Sequence, residues 1–241
     1  MLITEMTMPE FAALRQRTQT VFLPFGSTEE HGRHLPLDTD TIQVYEVVKR
    51  VAARRPVFVA PPLHYGVCRS TADHPGTIGI SSPTLKMLVN DLGRSLYGQG
   101  LRNFVLISGH AGKTHMNALL EAGEELLTAF DDVRVAVICE YELAREVCRE
   151  RVATADDSHA GEIETSRLEY LYPALVKGRS PEEYPDFPRY ILVRRKRAYW
   201  PGGVWGNPAQ ASAAKGEEYC RLVVDRLAAF LDEFENFAER E

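Results

Sequence analysis

The stretch "TVFLPFGSTEEHGRHLPLDTDTIQVYEVVKRVAARR", residues 20–55, joins two periodicities through a crowded loop. Its first part, "TVFLPFG", is a short apolar run of strand length. Its last part repeats Ile42, Tyr45, Val48 and Val51 at helical spacing. Between them stand Glu29, Glu30, His31, His34, Asp38 and Asp40, an unusual density of ionisable groups for a simple strand-to-helix connection. The stretch therefore reads as a strand, a functional loop and a helix.

The same grammar recurs outward from it. "PVFVAPPL" at 56–63, "NFVLISG" at 103–109 and "VRVAVICEY" at 133–141 are short runs rich in β-branched residues, read as strands buried on both faces. Amphipathic stretches separate them. "SSPTLKMLVNDLGRSLYGQG" at 81–100 has Ser82 as a helix cap and Pro83 in the first turn. A further helix follows His110 through "MNALLEAGEELLTAF". The last, at 207–234, carries Leu222, Val223, Leu227, Phe230 and Leu231 on a helical period, with Pro208 near its start. Alternation of this kind predicts an α/β fold with a largely parallel sheet covered on both faces. The Pro- and Gly-rich segments "SPEEYPDFPRY" and "AYWPGGVWGNP" read as one long excursion before the final helix, and residues 1–241 as a single domain.

Composition narrows the function. With 44% hydrophobic and 26% charged residues the chain is ordinary globular material, and a net charge of −6 gives no electrostatic support for nucleic-acid binding. The one basic cluster, "VRRKR" at 193–197, reads as a solvated strand edge. Cys68, Cys139, Cys148 and Cys220 are scattered, so neither a disulfide framework nor a zinc–thiolate motif is expected. No stretch has the apolar length of a membrane span, and the expected setting is the cytoplasm. No GxGxxG or Walker-type loop follows a strand, which removes the nucleotide-binding reading.

Chemistry gathers where the strands end, as ligand sites do in open α/β sheets. Glu29 and His31 are two apart and project to one side of an extended backbone, with Glu30 on the other. Asp40 falls at the start of a helix that it could also cap. His110 stands between Gly109 and an Ala-Gly pair, and "DDSHAGEIETSRLEYLYP" supplies His159, Glu162 and Glu164, the first two sharing a face if that segment is helical. Carboxylates with imidazoles and no thiolate suit zinc, manganese or iron(II), and paired cations generate a nucleophile at neutral pH.

"LPFGSTEEHGRHLPLDTD" at 23–40 resembles the signature of the creatininase family. The likeness continues through "HPGTI" at 74–78, "SGHAGKTH" at 108–115, "DSHAGEIETS" at 157–166 and "GGVWGNP" at 202–208. The resemblance implies a three-layer α/β/α sandwich holding two divalent metal ions (zinc, manganese or iron). It assigns Glu29, His31, Asp40 and His110 as metal ligands, with Asp40 bridging. Creatininase completes its second metal with a glutamate two residues beyond the "GH" histidine, where this chain has Gly112. Glu162 is assigned as the remaining ligand instead, with Glu164 supporting it from behind or forming an ion pair. His159 corresponds to the family's proton-transfer histidine. Glu30, His34, His64, His74 and His115 receive no ligand role. Lys113 replaces the usual asparagine, which favours an anionic substrate unless it faces solvent. Trp200 and Trp205 either wall the substrate pocket or anchor packing.

The implied reaction is hydrolysis of a C–N bond (amide, lactam or formamide) in a small molecule by a hydroxide shared between the metals. The alternatives are a peptidase trimming a cofactor-precursor peptide and a hydrolase of a cyclic ketone of keto-inositol type. Outside enzymes, a small-molecule-binding protein with a degenerate metal site would cite Gly112 and Lys113. The resemblance also implies a homo-oligomer, a hexamer in relatives.

Overall fold

The computed structural model describes residues 1–238. Strands β1 (Thr20–Phe25), β2 (Phe58–Val59), β3 (Asn103–Ser108) and β4 (Arg134–Cys139) form one sheet in the order β2-β1-β3-β4. Every pairing is parallel, with Thr20 opposite Asn103 and Asn103 opposite Arg134. Side chains alternate across the sheet. Val21, Leu23, Phe25, Phe104 and Leu106 pack against α1 (Met8–Arg15), α3 (Ser82–Gly98) and α4 (Lys113–Ala129), meeting Leu14, Leu85 and Leu119. Phe22, Val105 and Ile107 face α2 (Thr39–Ala52), α5 (Glu140–Cys148) and α7 (Ala213–Glu235), meeting Val48, Ala144 and Val223. A slip of one residue in register would exchange the two faces, so the alternation fixes both layers. Helix α6 (Glu162–Leu171) packs between α2 and α7. This is the α/β/α sandwich, and the strand C-termini all open on one edge of it.

The details differ from the sequence reading in instructive ways. β4 is an edge strand, and Val135–Ile138 are only half-buried. In α2 the buried stripe is Val44, Val47, Val48 and Val51, while Ile42 and Tyr45 lie at its margin. Ser81, not Ser82, caps α3, its hydroxyl accepting from Thr84 N at 3.3 Å. Pro208 belongs to a separate short turn, and Ser212 caps α7. The basic cluster is not a strand edge: it is loop and a 3-10 turn, with Lys196 Nζ donating to the Arg69 carbonyl. Among the described residues no helix is long and apolar enough to cross a membrane.

Candidate metal centre

Four segments deliver side chains to the same point beyond the sheet. The loop after β1 brings Glu29 and His31, the first turn of α2 brings Asp40, the turn after β3 brings His110, and the first turn of α6 brings Glu164. Asp40 divides its carboxylate between the two imidazoles: Oδ1 lies 3.1 Å from His31 Nε2 and Oδ2 3.1 Å from His110 Nδ1. Glu29 Oε2 stands 2.9 Å from His110 Nδ1, and Glu164 Oε2 stands 3.8 Å from His31 Nε2. Backbone carbonyls orient both rings. His31 Nδ1 meets Glu29 O at 3.1 Å and His110 Nε2 meets Val67 O at 3.3 Å. A carbonyl only accepts, so these nitrogens carry hydrogen, and the other nitrogen of each ring faces the carboxylates.

None of the five side-chain owners is more than 6% exposed, so solvent cannot neutralise them. Burial works against every charge here, yet the partners prevail. Beside His110 the Glu29 carboxyl is lowered to about 2, and His31 and His110 hold Asp40 well below the usual carboxylate range. Asp40 and Glu164 raise His31, and Glu29 and Asp40 raise His110, both well above the ordinary imidazole value. Three buried carboxylates around two imidazoles still leave negative charge in excess, a costly arrangement unless cations enter. The donors suit them. Glu29, Asp40 and His110 could hold one divalent ion, and His31, Asp40 and Glu164 a second, all through oxygen or imidazole nitrogen.

Glu162, the sequence-based choice for that last position, lies elsewhere. Its Oε2 accepts from Ala153 N at 2.9 Å and Thr154 N at 2.8 Å, while Oε1 accepts from Lys215 Nζ at 2.7 Å and Tyr219 OH at 3.2 Å. That carboxylate is a structural clasp between α7 and the loop before α6. The reason is the start of the helix: α6 begins at Glu162, so His159 precedes it and shares no helical face with it. Two residues along a helix turn the side chain through about 200°, which carries Glu164 to the site and Glu162 away. Asp157 fixes that start, accepting from Glu162 N at 2.5 Å, Ile163 N at 3.0 Å and Tyr141 OH at 3.0 Å. Burial pushes the Asp157 carboxyl up to about 6. The departure at Gly112 also has a geometric sense, since a Cβ there would lie 2.5 Å from His110 Nε2.

The cluster forms one wall of a cavity of about 460 Å³ that His159, Trp200, Trp205 and Lys113 also line. One nitrogen of His159 lies within 4.8 Å of the donor atoms of His31 and Glu164. Its ring overlaps His31 with centroids 4.2 Å apart and meets the edge of Trp200 at 5.2 Å. His159 Nε2 donates to Glu30 O at 2.8 Å. The "GGVWGNP" segment clamps this histidine from behind, with His159 N donating to Trp205 O at 3.1 Å and Trp205 N to His159 O at 2.7 Å. Burial and the neighbouring His31 disfavour its imidazolium, but Glu30 and Glu29 outweigh them and its pKa is raised.

Glu30 is closer to the chemistry than its alternation predicts. Its side chain curls back, with Oε2 accepting from Gly32 N at 3.0 Å and Oε1 3.6 Å from His159 Nε2. Gly203, at φ 66°, leaves room for that carboxylate, which any Cβ there would overlap. His34 links Ser180 Oγ and Thr165 Oγ1, His64 pairs with Asp38, and His74 Nε2 donates to Trp200 O at 2.6 Å. His115 Nδ1 accepts from Val67 N at 3.2 Å. None of these joins the cluster. Trp200 is buried and walls the cavity; Trp205, at its mouth, is 38% exposed.

Fold and site together define a doubly covered parallel-sheet protein with a buried carboxylate–imidazole centre of metal-binding type. The chain belongs to the creatininase family, a family of hydrolytic enzymes, whose profile (creatinine amidohydrolase) matches residues 4–231. It is 32% identical over 239 residues to the mycofactocin precursor peptide peptidase of Mycobacterium tuberculosis, covering 93% of this chain and 89% of that one. It is 30% identical over 251 residues to the creatinine amidohydrolase of Pseudomonas putida, covering 96% of each. A solved manganese form of creatininase superposes with a TM-score of 0.85 at 28% identity, over 97% of this chain and 98% of that one.

Proposed function

We propose that this chain is a binuclear metal-dependent hydrolase that cleaves a carbonyl–nitrogen bond in a small substrate carrying an anionic group. The observation that carries the reading is the divided Asp40 carboxylate, one oxygen to each histidine, in a buried acidic cluster open to a cavity. Glu29, Asp40 and His110 would hold one cation, and His31, Asp40 and Glu164 the other; the chemistry such a pair would supply is a water of lowered pKa and polarisation of a carbonyl oxygen.

The remaining work falls to the chain. His159 Nε2 is committed to the Glu30 carbonyl, which leaves Nδ1 as the atom that takes a proton and returns it to the departing nitrogen. Trp200 and the His31 ring hold that imidazole in place. Away from the Glu29, Asp40 and Glu164 carboxylates of the cluster, the exposed part of the cavity lining carries Arg69, Lys113 and Arg145 against Glu142 and Asp156, and this local excess of cations supports a substrate with a carboxylate or similar anion. A short peptide with a free C-terminus meets that description, and the 32% identity to a peptidase favours including it.

A direct test loads the purified chain with zinc or manganese and offers lactams, N-formyl amino acids, short peptides and cyclic ketones. The expected result is amine release from a carboxylate-bearing amide, falling about 10²–10⁴-fold in His159→Ala. A loaded chain that opens only the cyclic ketone overturns the C–N reading. A chain that takes up no metal leaves only the small-molecule-binding alternative.

A further inference from the structure

We propose that Cys68 is a sulfur ligand of the cation held by Glu29, Asp40 and His110, so that this position is a mixed sulfur, oxygen and nitrogen site beside a neighbour made of oxygen and nitrogen alone. The inference rests on the metal-dependent reading above and adds a ligand to it. Cys68 Sγ, a Glu29 carboxylate oxygen and a His110 ring nitrogen all lie within 4.8 Å of one another, and all three residues are buried. Ligand atoms stand about 2.0–2.3 Å from a shared zinc ion, an approach that small side-chain adjustments allow from this starting geometry.

The backbone holds the thiol in register with the cluster. Val67, its neighbour, accepts from His110 Nε2 at 3.3 Å through its carbonyl and donates to His115 Nδ1 at 3.2 Å through its amide. Thr71, a few residues on, donates to Glu29. The segment that carries Cys68 is thus tied to two members of the site. The other cysteines have different company: Cys139 and Cys148 belong to the apolar core between the sheet and α5, and Cys220 lies beside Arg167.

Without a cation the thiol stays neutral, because burial and the carboxylates of Glu29 and Asp40 push its pKa up. A bound cation reverses the local field, and a coordinated thiol gives up its proton. The S–H bond is exchanged for an S–metal bond, and the proton leaves to solvent, with no change of oxidation state. Thiolate is a softer donor than carboxylate, so this position favours zinc or cobalt over manganese.

The test uses the full chain, stripped by chelation and reloaded with cobalt(II). We expect a sulfur-to-cobalt charge-transfer band in the near ultraviolet, lost in Cys68→Ser and kept in Cys139→Ser. Zinc-over-manganese selectivity at one of the two positions falls at least about tenfold in Cys68→Ser, as expected when a soft donor is removed. Should Cys68→Ser fold poorly, cadmium NMR of the unmutated chain gives the same answer through one strongly deshielded resonance of two. Two bound cobalt ions with no sulfur band overturn the Cys68 assignment while leaving the hydrolase reading intact, as does a band that survives Cys68→Ser. A chain that binds no cobalt overturns both.

Discussion

Glu162 and Glu164 are the same residue type, two positions apart, and the first turn of α6 sends them to opposite surroundings. One carboxylate is saturated by Ala153 N, Thr154 N, Lys215 and Tyr219; the other accepts from Ala160 N at 2.5 Å and faces His31. Their substitutions should separate cleanly. Glu164→Gln is expected to bind one cation fewer per chain. Glu162→Gln keeps both cations and loses about 1–3 kcal/mol, because buried donors are left short of an acceptor. Metal analysis and urea titration of the two variants decide it, and equal metal content in both would refute the assignment of Glu164. The outcome also marks what a sequence can tell. Glu29, His31, Asp40 and His110 are named together by the family resemblance, and their convergence fits the apolar patterning, which already places each at a strand end or a helix start. Choosing between two acids at the mouth of α6 requires the first helical residue itself, and boundaries are where patterning is weakest. Cys68 is hidden for another reason: its partners come from different segments, and spacing rules detect only local thiolate pairs.

At the scale of the element, α6 is anchored by a charge pair inside the protein. Arg167 is fully buried, and its guanidinium donates to Glu140, the first residue of α5, through Nη1 at 3.0 Å and Nη2 at 2.5 Å. With Asp157 holding the helix start, this pair sets the position from which Glu164 reaches the site. Nothing in the sequence pattern signals it, since charged residues in an amphipathic helix read as a solvated face; α6 is buried over its first two turns because α2 and α7 close around it. Arg167→Met alone strands the Glu140 carboxylate and should cost about 3–5 kcal/mol. Adding Glu140→Leu should recover most of that loss, since two apolar groups replace two desolvated charges. A double-mutant cycle on denaturant midpoints measures the coupling, and simple additivity of the two losses would exclude the anchor.

For the whole molecule, the cluster couples stability to pH and to metal. In the stripped chain His31 and His110 have pKa values raised above their ordinary 6.5. Their contribution is complete below the unfolded value and fades as pH rises through the folded ones. Glu29, lowered from 4.5 to about 2, contributes above its unfolded value and fades as pH falls towards the folded one. The stripped protein should therefore be most stable in weak acid, between the unfolded values of the two residue types. Cations need the unprotonated imidazoles and must displace those protons, so their binding strengthens as pH rises. At free metal about 100-fold above Kd, each site adds about 2.7 kcal/mol. Two sites then raise Tm by roughly 10–20 °C at about 2–4 °C per kcal/mol for a chain of this size. Thermal melts at pH 6, 7 and 8, with and without zinc, should show that gap widening towards pH 8. A gap that narrows over the same interval would mean that the cations compete with no protons at the cluster, and that His31 and His110 are not among the groups that hold them.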